Sequence, residues 1–171
     1  VREGVKLCKE NDIDMVLAIG GGSVIDCAKV VAAGACYDGD PWDLVITPRW
    51  IKKALPIYSV LTLSATGSEM DPFAVISDMS KNEKWGTASE HMKPKMSILD
   101  PEYTYSVSKK QTAAGTADMI SHICENYFTN VKNADVQARF AEGLLKNCFK
   151  YGPIALEEPD NYDARANLMW T

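Results

Sequence analysis

Long hydrophobic runs are missing from this chain of 171 residues. Its longest apolar stretches, such as residues 15–19, are far shorter than the roughly 20 residues that a helix needs to cross a bilayer. The N-terminus lacks the basic-then-apolar pattern of a signal peptide. Clusters of Lys and Arg are also missing, and the net charge is only −5. We therefore expect a cytoplasmic protein that binds neither membranes nor nucleic acids.

Paired cysteine motifs are missing as well. The five cysteines are an odd number, lie far apart and form no C-x-x-C motif. This pattern excludes a disulfide framework and a zinc knuckle. We expect the protein to be in a reducing compartment and all five cysteines to be small buried residues: Cys8, Cys27, Cys36, Cys124 and Cys148.

The first half of the chain has the pattern of an α/β domain. A helix-like segment, VREGVKLCKEND, precedes the short apolar run DMVLAI, which predicts a buried strand. Three glycines follow, and then the Ala- and Val-rich segment SVIDCAKVVAAGACY predicts a helix that is capped by Ser23. Further strands are predicted in IYSVLTL, FAVISD and KMSILDPEY, with EKWGTASEHMKP as a loop or hairpin between them. The order favours a mainly parallel sheet.

The second half of the chain is predicted to be helical. From Ser108 onward the segments are Ala-rich or amphipathic, and one of them places Val136, Phe140, Leu144 and Cys148 on a single stripe. The change in character predicts a domain boundary near residues 103–108. Both ends fall within helical patterns without cap signals, so we expect an internal segment of a longer protein.

A glycine-rich turn lies in AIGGGSVIDCAK, residues 18–29. A strand that runs into glycines and then a helix exposes backbone N–H groups and the positive end of the helix dipole, which favours a phosphate. The spacing is neither G-x-G-x-x-G nor G-x-x-x-x-G-K-[ST], so the common dinucleotide and P-loop motifs are excluded. A tight turn that needs glycine only for its dihedral angles is the alternative. Asp26 either supports this region, contacts a ligand, or is an ordinary aspartate near a helix start.

A hydroxyl-rich segment, TLSATGSE, follows a predicted strand at residues 62–69. Its four Ser and Thr side chains offer donors where ligands gather in open α/β sheets, beyond the carboxyl ends of the strands. They would suit the phosphate or the amide of a cofactor. An ordinary polar loop is the alternative.

An aspartate and a histidine are four residues apart in GTADMISH, residues 115–122. On a helix, Asp118 and His122 would share a face and reach one divalent ion, and Glu125 could orient the histidine. A carboxylate with an imidazole suits Fe(II) or Zn(II) better than Ca²⁺. The spacing is equally compatible with a capping aspartate and a hydrogen-bonded helix histidine, because a catalytic ion needs three or four protein ligands.

Taken together, these motifs resemble the iron-containing alcohol dehydrogenases, the metal-dependent group III family. The likeness is greatest to its branch of NAD(P)H-dependent butanol dehydrogenases and broad-range aldehyde reductases. It is collinear over nearly the whole chain, through GGGSVIDCAK, DPWD, LTLSATGSEM, LDPEYTY, GTADMISHICENY, RFAEGLL and EEPDNYDARANLMW. The resemblance implies a dehydroquinate synthase-like architecture. Residues 1–105 would be the C-terminal part of an α/β dinucleotide-binding domain, and residues 106–171 the beginning of an all-helical metal-binding domain.

The resemblance also implies roles for individual residues. The pyrophosphate of NAD(H) or NADP(H) would lie against Gly20, Gly21, Gly22 and Ser23. Further cofactor contacts would come from Thr62, Thr66, Asp71, Lys84 and Tyr103. The metal, Fe(II) or alternatively Zn(II), would be bound by Asp118 and His122, with two more ligands beyond residue 171. His91, the only other histidine, matches no ligand of the family.

The function that the resemblance implies is hydride transfer between NAD(P)H and a primary alcohol/aldehyde pair such as butanol and butanal. It also implies a homodimer at full length and no activity for the isolated segment. Two alternatives stay open: a lyase of the dehydroquinate synthase type on the same scaffold, and a non-catalytic nucleotide-binding module. The choices between NADH and NADPH and between metals are not fixed by these residues.

Overall fold

The computed structural model describes all 171 residues, which fall into two compact units. One unit contains residues 1–61 and 67–98, and the other contains residues 62–66 and 99–171. The domain boundary expected near residues 103–108 stays a prediction. The first unit contains α1 (Arg2–Glu10), β1 (Val16–Gly20), α2 (Gly22–Ala35), α3 (Pro41–Ile46), β2 (Ile57–Leu61), β3 (Phe73–Asp78), β4 (Glu83–Ala88) and β5 (Met96–Ile98). The second contains α4 (Lys109–Tyr127), α5 (Asp135–Glu157) and α6 (Tyr162–Trp170).

A parallel sheet of three strands, in the order β1-β2-β5, forms the centre of the first unit. The register pairs Val16 with Ile57 and Gly20 with Leu61, so the carboxyl ends of β1 and β2 are level. Such an arrangement requires a crossover between the strands, and the chain makes it through α2 and α3. The predicted α/β class with a mainly parallel sheet is therefore confirmed.

The two faces of this sheet differ in exposure. Ala18, Ile57 and Leu61 are buried on the face that packs with α2, which contributes Val30, Ala32 and Ala33 to the same core. On the opposite face, Leu17 is 50% exposed and Ile19 is 61% exposed. Because successive strand residues point to opposite faces, the apolar character of β1 on both sides is typical of a strand in a sheet that is covered twice.

A hairpin of β3 and β4 accounts for the region that was predicted to be a loop or hairpin. Its strands are antiparallel, with Phe73 opposite Ala88 and Asp78 opposite Glu83. Asn82, in the connecting turn, has a φ of 53°, which asparagine tolerates better than most residues. A buried hydroxyl anchors the hairpin, since Thr87 Oγ1 donates to the carbonyl oxygen of Leu44 at 2.9 Å.

The second unit is helical after residue 108, as predicted. Its core contains Met119 from α4, Cys148 and Ala155 from α5, and Ala164 and Leu168 from α6. None of the six helices in the chain is long and apolar enough to cross a membrane.

The predicted stripe on α5 is buried only at one end. Cys148 is 1% exposed and Leu144 is half-buried, whereas Val136 is 63% exposed and Phe140 is 69% exposed. The periodicity correctly predicts the helix and its common face. It does not predict how far along that face the core extends.

Two local predictions are wrong. Ser23 does not cap α2, because the helix begins at Gly22, two residues earlier than such a cap predicts. Gly21 is the N-cap residue, and no side chain accepts a hydrogen bond there. Buried positions for all cysteines are also wrong: Cys148 is buried and Cys36 is exposed, while the other three are intermediate. All five are free, as expected from their spacing.

Two glycines in α5 provide a paired test of helix packing. A Cβ at Gly143 would have no heavy atom within 4 Å, whereas one at Gly152 would lie 2.8 Å from Thr116 Cγ2. We expect Gly143→Ala to raise the free energy of unfolding by about 0.5–1 kcal/mol, because alanine favours a helix interior. We expect Gly152→Ala to lower it by about 1–3 kcal/mol through overpacking. Urea unfolding measures both, and effects of the same sign would contradict this packing.

Candidate functional site

The glycine-rich turn connects the end of β1 to the start of α2. Within the helix, the first hydrogen bonds of this turn are donated by Val24 N and Ile25 N to Gly21 O, at 3.0 and 3.2 Å. The amide groups of Gly22 and Ser23 precede them and have no intrahelical acceptor. Ser23 is exposed, and no acidic residue occupies the first turn of α2. The turn therefore presents unpaired N–H groups at a positive helix end, which suits an anion.

Glycine is required in this turn for space rather than for dihedral freedom. The only glycine with a positive φ in the chain is Gly67, at 73°, so the explanation by dihedral angles does not hold for residues 20–22. A Cβ at Gly20 would lie 2.7 Å from Val24 Cβ. The absence of a side chain thus lets α2 begin close against the end of β1.

The hydroxyl-rich segment leaves the sheet at the end of β2. Thr62 is half-buried and Thr66 is exposed, and Gly67 follows with its positive φ. The segment of residues 62–66 belongs to the helical unit, although β2 itself belongs to the α/β unit. Its candidate contacts are therefore available at the surface, and their cofactor role stays a prediction.

A buried lysine binds Ser68, near the end of this segment, and residues that follow it. Lys29, in α2, is fully buried, and its Nζ donates to Ser68 Oγ at 2.9 Å, to Asp71 Oδ1 at 2.8 Å and to the carbonyl oxygen of Phe73 at 2.6 Å. An ammonium group has three N–H donors, and here each has an acceptor. Ser68 Oγ in turn donates to Asp26 Oδ1 at 2.6 Å.

This network fixes two candidate residues of the sequence analysis. Asp26 also accepts a hydrogen bond from Val75 N at 2.8 Å, so it supports the neighbouring hairpin. Asp71 Oδ1 accepts from Lys29 and from Phe73 N, and the side chain is 34% exposed. Asp71 is therefore held in place by the protein, and a contact between Asp71 and a cofactor stays a prediction.

A second carboxyl group lies beside the same network. Glu69 is 7% exposed. Burial raises the pKa of its carboxyl above the ordinary value, the nearby charge of Asp71 raises it further, and its own backbone N–H and Lys29 oppose the rise. The carboxyl groups of Glu69 and Asp71 thus both lie near the single ammonium group of Lys29.

Two further cofactor candidates lie on separate elements. Lys84 is exposed on β4, and Tyr103 is 51% exposed in the short 3-10 helix Pro101–Thr104. Neither has a hydrogen bond or ion pair through its side chain that would commit it elsewhere. Their accessibility is compatible with ligand contact, and their roles stay predictions.

The aspartate and histidine of the GTADMISH motif do come together on α4. Asp118 Oδ2 lies 3.8 Å from His122 Nε2, and His122 Nδ1 lies 3.1 Å from Glu125 Oε2. Because a carboxylate only accepts hydrogen bonds, Nδ1 carries the hydrogen, and in the neutral ring the lone pair of Nε2 is free. Asp118 does not cap the helix, since Ser108 Oγ accepts from Gln111 N at its start.

This arrangement fits two positions of a divalent metal site. Atoms that each lie about 2.1 Å from one ion are at most about 4.2 Å apart, and the observed Oδ2–Nε2 distance of 3.8 Å is within that limit. Glu125 orients the imidazole in the way that is typical of metal-bound histidines. No group of three or more His, Cys, Asp and Glu residues in the chain is arranged to hold an ion. The chain thus supplies a pair of ligands rather than a full set.

Reasoning from the sequence missed Lys29 as an organising residue. A lysine in a helix is usually solvent-exposed, and composition gives no reason to expect otherwise. The one available signal was its position three residues after Asp26 in an otherwise Ala- and Val-rich helix, which places both polar groups near one face.

Comparison with known proteins shows which family this chain is similar to. The family model for iron-containing alcohol dehydrogenase matches residues 1–101. The chain is 61% identical over 170 residues to NADH-dependent butanol dehydrogenase A of Clostridium acetobutylicum, covering 99% of this chain and 44% of that protein. It is 46% identical to an NADPH-dependent aldehyde reductase of Escherichia coli, covering 97% of this chain and 44% of the reductase.

A solved structure agrees with the fold. The crystal structure of NADH-dependent butanol dehydrogenase A from Thermotoga maritima superposes with a TM-score of 0.94 and 46% identity, covering 98% of this chain and 42% of that one. The chain therefore spans less than half the length of the relatives it matches.

The buried lysine provides a test of how the α/β unit is held together. We expect Lys29→Met to lower the free energy of unfolding by about 3 kcal/mol, because it leaves partly buried carboxylates without their cation. Lys53→Met, at an exposed position, is the matched control. Denaturant unfolding measures both variants, and equal stabilities would show that the network does not hold the unit together.

Proposed function

Because this chain belongs to the iron-containing alcohol dehydrogenase family, we propose that the full-length protein transfers a hydride between NAD(P)H and a primary alcohol/aldehyde pair such as butanol and butanal. The observation that carries the proposal is the pairing of Asp118 and His122 on α4, with Glu125 behind the imidazole. The relatives that are named butanol dehydrogenase and aldehyde reductase support this substrate class.

The cofactor would be bound through the glycine-rich turn. The unpaired amides at the start of α2 and the missing acidic residue there support a pyrophosphate on Gly20, Gly21, Gly22 and Ser23. Thr62, Thr66, Asp71, Lys84 and Tyr103 are proposed as further contacts, on the basis of family resemblance and, for all but Asp71, of uncommitted side chains. The relatives named for NADH and for NADPH leave the choice of dinucleotide open.

The metal would be held by the carboxylate of Asp118 and by Nε2 of His122. The hydrogen bond from His122 Nδ1 to Glu125 keeps the Nε2 lone pair turned toward the aspartate. When bound, Fe(II) or Zn(II) would supply Lewis-acid stabilisation of negative charge on the substrate oxygen, and the nicotinamide would supply or accept the hydride. The remaining ligands and homodimer formation are proposals about the full-length protein.

The alternatives gain no support from the relatives. The matched proteins are named as dehydrogenases and reductases, which favours the oxidoreductase over the lyase. A non-catalytic module would not need the oriented aspartate–histidine pair on α4. We also propose that the isolated segment is inactive, because two ligands do not hold a catalytic ion.

Metal removal tests the proposed reaction. We expect aldehyde-dependent oxidation of NAD(P)H by the full-length protein to be lost on chelation and restored by Fe(II) or Zn(II). Asp118→Ala and His122→Ala should each lower kcat/KM at least about 100-fold, because they remove a metal ligand. His91→Ala is the matched control and should retain activity. Turnover that survives the double replacement of Asp118 and His122 would overturn the proposal.

A charge at the start of α2 tests the cofactor site. We expect Ser23→Glu to weaken NAD(P)H binding at least about tenfold, or roughly 1.4 kcal/mol, because a carboxylate would repel the phosphates. The same change should leave stability equal or slightly higher, since an acidic residue favours a helix N-terminus. Ser23→Gln is the neutral control. Fluorescence titration of NAD(P)H measures the affinity, and unchanged binding by Ser23→Glu would exclude this turn as the phosphate site.

A further inference from the structure

A close backbone contact joins α4 to the hydroxyl-rich segment inside the helical unit. Gly115, in α4, is buried, and a Cβ at this position would lie 2.6 Å from the carbonyl oxygen of Ser64. The same Cβ would lie 3.7 Å from Ala65 Cβ and from Leu63 Cδ1. The nearest obstacle is therefore main chain, which cannot swing aside as the end of a flexible side chain can. Only glycine lets the helix approach the segment this closely.

The adjoining face of α4 is also held at short range. A Cβ on Gly152 of α5 would lie only 2.8 Å from Thr116 Cγ2. Thr116 Oγ1 donates to the carbonyl oxygen of Thr112 at 2.9 Å. From α6, the buried guanidinium of Arg165 donates through Nη1 to Thr112 Oγ1 at 3.0 Å. The buried face of α4 is thus packed against residues 62–66, α5 and α6, whereas Ala113 and Ala117 on its far side are exposed.

The confined part of α4 leads directly to the proposed metal ligands. Asp118 lies three residues after Gly115, and His122 lies seven residues after it. On a helix, these positions are rotated by about 60° and 20° from the direction of Gly115. The pair therefore lies on the side of α4 that Gly115 presses against the segment, about 5 and 10 Å further along the axis. The segment itself carries Thr62 and Thr66, the proposed cofactor contacts.

We propose that Gly115 is a positioning residue that sets the distance between the metal ligands and the cofactor-binding segment. This proposal rests on the proposed function. Without a side chain, Gly115 fixes the spacing of α4 and residues 62–66 at backbone contact. A methyl group there must displace either the segment or the helix, and α4 cannot move away without disturbing its packing on α5 and α6. Hydride transfer depends steeply on such a spacing, since a misplacement of about 1 Å costs on the order of 100-fold in rate.

Gly115→Ala in the full-length protein tests the proposal. The matched control is Gly143→Ala, the same change in the same unit at a position with nothing within 4 Å of the new Cβ. We expect Gly115→Ala to lower kcat at least about tenfold and to raise the primary isotope effect with 4-deuterated NAD(P)H. The affinities for metal, by chelator competition, and for NAD(P)H, by fluorescence, should each change less than about threefold. The control should match the wild type in all four measurements.

A spectroscopic readout that needs no turnover accompanies the kinetics. Co(II) replaces the metal, and its visible absorption is recorded with and without NAD(P)⁺. We expect the dinucleotide to change the Co(II) spectrum in the wild type and in Gly143→Ala, and to change it less in Gly115→Ala. Failure of the proposed function alone would appear as a wild type without aldehyde turnover but with this spectral coupling.

Three outcomes would overturn the positioning role: a kcat of Gly115→Ala close to that of the control, a loss of kcat that only parallels a loss of metal affinity, or no effect of the dinucleotide on the wild-type Co(II) spectrum. If Gly115→Ala does not fold, Thr112→Val decides. It removes the acceptor of Arg165 and loosens α4 without a new clash. A lower kcat with unchanged affinities would support the proposal, and a normal kcat would overturn it.

Discussion

The ammonium group of Lys29 is the interaction on which the α/β unit depends. It lies away from water and has acceptors from the segment after β2, from Asp71 and from the first residue of β3. Removing such a charge from water is costly, and only a full set of acceptors offsets the cost. The hairpin of β3 and β4 and the part of the loop that contains Ser68 and Asp71 are therefore fixed to α2, whose N-terminus forms the glycine-rich turn. One buried cation links the candidate anion site to the strands beyond it.

Small residues organise the chain at three places where backbone elements approach each other. Gly20 lets α2 start against the end of β1, Gly115 lets α4 lie against residues 62–66, and Gly152 accepts Thr116 between α4 and α5. At each position the missing side chain matters for distance and not for unusual dihedral angles, since Gly67 is the only glycine with a positive φ. Gly20 and Gly152 make room for the side chains of Val24 and Thr116, whereas Gly115 faces the backbone carbonyl of Ser64. The backbone contact is the one that can least adjust to an added methyl group.

The sequence predicted features that depend on local patterns. Most helices and strands followed from hydrophobic periodicity, although α3 was not predicted, and the Asp118–His122 pair followed from a spacing of four on a helix. Burial of Lys29 and contact of Gly115 with Ser64 depend on residues about 40 or 50 positions away, and no local pattern reports them. Exposure of Val136 and Phe140 was missed for a similar reason, because periodicity defines a face and not its partner. The cap at Ser23 failed because α2 begins within the glycines.

The packing of Gly20 against Val24 has a consequence for how substitutions at these two positions combine. A Cβ at residue 20 would lie 2.7 Å from Val24 Cβ, one helical turn later. A larger residue at the first position would overlap this side chain, so it requires a smaller or displaced side chain at the second. We therefore expect the effects of substitutions at residues 20 and 24 on the free energy of unfolding to be non-additive.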